Sequence, residues 1–380
     1  MNISESSLRA ADLSVADIIQ QTSVAQDWLA GRYAGEAAES VPYTGEPLSF
    51  TVTGHPPENA AAVVDVIKPA IRVLESMSNG KIRVEDFWGA SRHRDRDGVA
   101  ALNDGRSDLA PIYSGWDSRS YPLAQGLQLP GLFPHSDVGT LVSEEIYFDY
   151  LRSDVERQGI KMGRLKMSGP YHLFSMQPIR SRDDLKGLRI GTTEGIEADV
   201  MLALGAQPVP LSSLEMNPAL AGGKIDAMHL ADGSSEVFGI GKIARFRTAL
   251  GFVRQCLEFG LSRRFWSKLP HDLKHTVHNW LRAEAQAETQ IFYGVAGARA
   301  RARFAERGMT LIYMSDTEYG RIADAVQPIV ERFIASAEAT GRPARAMLKD
   351  IESRIAAHGN KSANDLMMDA IVNPVAKIND

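Results

Sequence analysis

Residues 176–191 read MQPIRSRDDLKGLRIG, and residues 202–228 continue as LALGAQPVPLSSLEMNPALAGGKIDAM. Pro178, the Asp183-Asp184 pair and Gly187 are turn formers that feed a short strand at Leu188-Arg189-Ile190. Helical spacing over 194–204 stops at Gly205, and Pro208-Val209-Pro210-Leu211 resumes as an extended segment. Ser212 or Ser213 caps a second helix through Leu220, which ends at Gly222-Gly223 before a strand over 224–228. The order is β-α-β-α-β, with helices short enough to cross over a parallel sheet. Ligands of such sheets sit beyond the carboxyl ends of the strands, here near 191–194, 211–213 and 229–232.

The run Asp184-Leu185-Lys186-Gly187-Leu188-Arg189-Ile190 carries a family resemblance, together with Leu204-Gly205-Ala206, Pro208-Val209, Glu215, Ala219-Leu220 and Gly223-Lys224-Ile225-Asp226. It resembles the substrate-binding proteins of TRAP transporters, the DctP-like family, and the likeness runs from about Leu48 to Ala357. The resemblance implies an α/β, two-lobed, periplasmic-binding-protein-like fold of type II kind, each lobe a doubly wound sheet. It also implies closure of the lobes on a small organic molecule, delivery to TRAP membrane subunits, and a periplasmic setting. The family's arginine for the ligand carboxylate falls on Gly191 here, and a second one, found in sialic-acid-type members, falls near Tyr171.

A chain of 380 residues exceeds the usual single-domain range, so two lobes and a large core are expected. The expected division is an N-terminal helical extension at 1–46, and a first lobe at 47–165 plus about 241–270. A second lobe takes 166–240 plus about 308–345, a long bracing helix 270–307, and a C-terminal helix and tail 346–380. The slightly acidic balance, net −5, gives no basic surplus for nucleic acid. The single cysteine, Cys256, excludes an internal disulfide and a thiolate metal cluster, and its neighbours Phe252, Val253 and Leu257 make it a buried small hydrophobe. No stretch approaches the ~20 apolar residues that cross a bilayer. Residues 1–40 hold no apolar run of ~7–15 residues of signal type, so the sequence as written points to the cytoplasm, against the family norm. Residues 6–33 read as one or two helices packed on their own body, with a homodimer contact as the alternative, and 35–47 as an irregular polar linker.

The first lobe opens with a strand over 48–54 that delivers His55, followed by a helix over 59–77 and a strand over 81–87. A loop over 88–96, a helix over 97–103 and an extended piece at 111–113 complete a second β-α-β-α-β. A helix over 140–157 and a strand over 160–166 then lead to the second lobe, and 241–259 returns the chain to the first.

No Walker loop, GxGxxG, GxSxG, HExxH or paired-cysteine motif is present, and neither a cofactor nor a metal is expected. His271, His275 and His278 share one helix face and read as solvated. His55, His93, His172 and His229 each follow or end a strand, which places them at an interlobe cleft. Imidazole titrates near neutrality, so such a cleft can hold a polar ligand or exchange a proton with it. Arg92 or Arg94 can replace the cation lost at Gly191, and Ser213 stands at a helix start on the cleft. Trp88, Tyr113, Trp116 and Tyr171 offer aromatic walls for a ligand larger than a C4 acid. Asp226 and Glu215 are structural, a turn carboxylate and a first-turn helix carboxylate. Two function classes remain: a small-molecule binding protein, and an intracellular enzyme or sensor that uses the cleft histidines.

Overall fold

A computed structural model describes residues 3–35 and 41–378. The expected polar linker therefore lies partly outside the described residues, at 36–40, as do the extreme ends of the extension and tail. In chain order the strands are β1 (Leu48–Thr53), β2 (Ile82–Phe87), β3 (Leu109–Pro111), β4 (Lys161–Arg164), β5 (Tyr171–Ser175) and β6 (Arg189–Thr192). They continue as β7 (Gln207–Pro210), β8 (Ala227–Ala231), β9 (Phe246–Thr248), β10 (Phe259–Leu261) and β11 (Thr310–Ile312). One sheet runs β2-β1-β3-β10-β4 and the other β11-β9-β5-β8-β6-β7, giving a two-lobed α/β fold.

Each lobe keeps the parallel triad expected from sequence. β1 lies parallel to β2 and β3, and β6 lies parallel to β7 and β8. Both sheets are nevertheless mixed, because β10 enters the first antiparallel and β5 enters the second antiparallel. The short connections behave as read. Gly205 turns with φ +89, and Ser212 and Glu215 form a reciprocal cap on the helix Ser213–Ala221. Asp226 accepts from the Arg189 amide and guanidinium, both at 2.8 Å, which ties the head of β6 to the turn before β8. β8, parallel to β6 and antiparallel to β5, is buried along its whole length, as a central strand covered on both faces should be.

The return to the first lobe comes later than expected. β9 pairs with β5 and β11 in the second sheet, so the chain does not leave that lobe at Gly241 but crosses over 249–258. Cys256 lies fully buried in this crossing, bridged to Met167 of the opposite crossing. The bracing helix is unbroken in path from His271 to Glu306. Its middle, Thr289–Ala296, adopts the wider π-helical turn between α-helical halves His271–Glu288 and Gly297–Glu306.

Among the described residues the N-terminal extension includes the helices α1 (Glu5–Ala11), α2 (Val15–Gln21) and α3 (Ser23–Leu29). Ala25 and Trp28 of α3 enter the first-lobe core with Val63, Phe265 and Trp280. At the other end, Asp12 follows α1 and meets Arg247 at 3.0 Å and the Tyr313 hydroxyl at 2.6 Å. The extension thus packs on its own chain and touches both lobes. Among the described residues no helix is long and apolar enough to cross a membrane.

Candidate functional site

A cavity with about 760 Å³ of empty space, its mouth included, lies between the two sheets. Its walls are the ends of strands and the loops that leave them, as parallel α/β sheets dictate. The first lobe contributes His55 after β1, Tyr113, Gly115 and Trp116 after β3, and Lys166 after β4. The second lobe contributes Tyr171 at the head of β5, Thr193 and Glu197 after β6, Ser213 after β7, and Met228 and His229 from β8. Gln255 comes from the crossing, and Glu288, Phe292 and Tyr293 come from where the long helix widens into its π turn. Such widened turns recur at functional sites because they re-aim side chains.

Two carboxylates are fixed here. Glu197, wholly buried, accepts the Thr193 amide at 2.9 Å, the Thr193 hydroxyl at 2.5 Å, the Gln255 amide at 2.8 Å and His229 Nδ1 at 2.7 Å. With four donors on it the carboxylate acts as an acceptor, so His229 carries a proton on Nδ1 and turns Nε2 outward without a protein partner. Glu288 is ion-paired with Lys166 and with Arg164 at 2.7 Å. Burial pulls Lys166 down to about 8 while Glu288 pulls it up; against burial, Lys166 and Arg164 hold Glu288 below the ordinary carboxylate value. Burial also pulls His55 down to about 4. The His55 ring stacks on Phe238 of the opposite lobe at 6.0 Å between centroids and meets Tyr113 and Trp116 edge-on.

The lobes are joined across the mouth. Asp95 of the first lobe accepts both the amide (2.9 Å) and hydroxyl (2.6 Å) of Ser213 in the second. Arg96 reaches Glu194 at 3.2 Å, and the Glu194 amide donates to the Gly115 carbonyl at 2.9 Å. These bonds belong to a closed arrangement.

Of the residues read from sequence as site candidates, His55, Trp116, Tyr171, Ser213 and His229 line this cavity, with Tyr113 beside them. Four do not. His172 is one residue past Tyr171 on β5 and so faces the other side of the sheet. There its Nδ1 accepts the Leu250 amide at 3.3 Å, beside Asp12, Asp232 and Arg247. His93 is held inside the first lobe by the Thr53 hydroxyl (2.6 Å) and the Arg94 carbonyl (2.7 Å). Arg92 is exposed and stacks on Phe87, 3.9 Å from the ring centre, so it supplies no cation to the cavity. Gly191 points inward: a Cβ there would stand 2.5 Å from Met228 Sδ and 2.9 Å from Ile225 Cδ1. Trp88 instead bonds Asp86 within the first lobe.

Lys166, Glu197, Glu288 and Tyr293 were not identified from sequence. The first turn of the helix after β6 could have pointed to Glu197; the other three depend on where the crossing and the π turn fall. A separate group, Asp12, His172 and Asp232, brings three ligand-type atoms within 4.8 Å of one another. Arg247 and Arg301 already neutralise both carboxylates, which leaves no excess negative charge for a cation.

The family model of the bacterial extracellular solute-binding proteins, family 7, matches residues 57–337. A solute-binding protein of Roseobacter denitrificans is 24% identical over 276 residues, covering 68% of this chain and 82% of that protein. A marine-metagenome TRAP solute-binding protein solved with 3-hydroxybenzoate superposes with a TM-score of 0.77 at 19% identity, over 83% of this chain and all of the other (100%). A TRAP periplasmic solute-binding protein of Bordetella bronchiseptica, solved with mandelate, superposes with a TM-score of 0.75 at 20% identity, over 82% and 99% of the two chains.

Proposed function

The chain belongs to the bacterial extracellular solute-binding proteins of family 7, and from that premise we propose that it captures a ring-bearing small organic molecule between its lobes. The single observation that carries this reading is the cavity itself. It is walled by both lobes, lined by Tyr113, Trp116, Tyr171, Phe292 and Tyr293, and closed over by the Asp95–Ser213 bonds. A volume and lining of this kind suit a drug-sized or smaller ligand buried on most of its surface. The structurally similar proteins solved with 3-hydroxybenzoate and mandelate make a six-membered ring a reasonable body for that ligand.

Delivery to TRAP membrane subunits follows from family membership, and it requires the chain to act outside the cytoplasm. Fractionation of the native host separates the readings. Recovery in the periplasm supports transport, while retention in the cytoplasm supports an enzyme or sensor built on the same cavity. The apolar side chains of α3 are spent on the chain's own core, which supports a single working copy over a homodimer joined through the extension. Light scattering of the purified protein tests that point. The capture reading itself is tested by a thermal-shift and calorimetric screen of ring compounds, in which at least one should bind saturably at one site per chain. Loss of that binding in Trp116→Ala with the fold retained places it in this cavity.

A further inference from the structure

We infer that the ligand is an uncharged, hydroxylated ring compound and not a carboxylate, an inference that rests on the reading of the cavity as a solute site. Charge comes first. The formally charged side chains on the wall are Lys166, Glu197 and Glu288, beside the titratable imidazoles of His55 and His229. Lys166 is committed to Glu288, and Glu197 is filled by Thr193, Gln255 and His229. Arg164 is engaged by Glu284 at 2.5 Å and Glu288 at 2.7 Å, and no arginine lines the cavity among the described residues. A carboxylate entering this space loses its hydration and meets no uncommitted cation, next to two carboxylates already present.

Hydrogen-bonding capacity points the same way. Among the described residues three polar atoms on the wall are buried without a protein partner: Trp116 Nε1, His55 Nδ1 and His229 Nε2. The indole N–H can only donate. His229 donates its Nδ1–H to Glu197, so in the neutral ring its Nε2 can only accept. The His55 ring, kept neutral by burial, has one donor and one acceptor nitrogen. An ionised carboxylate has acceptors alone and leaves His229 Nε2 unmatched, whereas a hydroxyl donates to His229 and accepts from Trp116 or His55. The rings of Tyr113, Phe238, Phe292 and Tyr293 then enclose an apolar ring body.

The test is calorimetry at pH 8 with matched pairs that differ only in the charged group. The pairs are 3-hydroxybenzyl alcohol with 3-hydroxybenzoate, and cyclohexanol with cyclohexanecarboxylate, within a wider panel built the same way. The alcohols should bind at least ~30-fold more tightly than their partner acids. Trp116→Phe, which keeps the ring and removes the N–H, should weaken the alcohol about tenfold. Acids binding as tightly as the alcohols would overturn the inference and leave the solute reading standing. Binding by neither series across the panel would overturn both.

Discussion

Glu197 is the residue on which the site turns, because four donors converge on it and one of them is the imidazole that lines the cavity. His229→Ala removes that imidazole and leaves the carboxylate three donors, so the fold should survive. Affinity for a bound ring alcohol should drop by ~1–3 kcal/mol, read as a roughly fivefold or greater rise in Kd by calorimetry. An unchanged Kd would remove His229 from the site. Gly191 gives a second residue-scale prediction. Because Met228 fills the space in front of it, Gly191→Arg alone should be destabilised by overpacking of roughly 1–3 kcal/mol. Adding Met228→Ala should recover part of that stability and raise affinity for carboxylates; equal stabilities of single and double variants in urea melts would contradict the account. His229 is read from sequence as following a strand over 224–228; it lies inside β8, Ala227–Ala231, and still lines the cavity. His172 was misread by one position. β5 starts at Tyr171, side chains alternate along it, and a one-residue error moves a side chain from the cavity to the Asp12–Arg247 side.

Among the elements, the long helix shows how far a resemblance carries. The likeness to the family and the proline start imply a helix over 270–307, and the structure has a helical path over His271–Glu306. The π turn at Thr289–Ala296 left no mark in the pattern, since the shift from i→i+4 to i→i+5 bonding is settled by tertiary packing and not by composition. That turn is where Glu288 meets Lys166 and where Phe292 and Tyr293 reach the cavity. Glu288 also belongs to a buried ladder, Lys166–Glu288–Arg164–Glu284, whose rungs come from the long helix and from β4 with the loop after it. Removing one charge from such a ladder strands its partners without water. Glu288→Gln should therefore cost about 3–5 kcal/mol in denaturant unfolding, and a variant within ~1 kcal/mol of wild type would show that the ladder is solvated.

At the scale of the whole molecule, the two-lobed plan was legible because each lobe repeats a local β-α-β-α-β code. The crossing points were not, because a crossing strand such as β9 is defined by its distant partners β5 and β11. Stability against acid is also a property of the whole. Burial pulls His172 and His278 to about 3 and His55 to about 4, so from pH 6.5 downward the unfolded chain binds more protons at these sites and stability falls. Burial raises Glu144, Glu258 and Glu284 to about 7 and Asp137 to about 6, so between pH 7 and 4.5 the folded chain binds more protons there, which offsets the histidines. Below about pH 4.5 the offset ends as the unfolded carboxyls also protonate, and Asp12 and Asp232, held low by Arg247 against the cost of burial, add to the loss. Melting temperatures should stay nearly level from pH 7 to 5 and drop steeply below 4.5; a steady fall from pH 7 would contradict this balance. The extension decides the last expectation. Trp28 anchors it in the first-lobe core, and Asp12 anchors it to Arg247 at the rim of the second sheet, so separating the lobes must strain one anchor. Asp12 also closes a charge-neutral set with Asp232, Arg247 and Arg301. Asp12→Ala leaves two guanidiniums on one carboxylate and frees α1 from the second lobe. It should cost about 3 kcal/mol in unfolding and enlarge the radius of gyration of the ligand-free protein in small-angle scattering. Loss of stability with an unchanged radius would make Asp12 a core residue only, whereas an unchanged unfolding midpoint would mean that the extension restrains neither lobe.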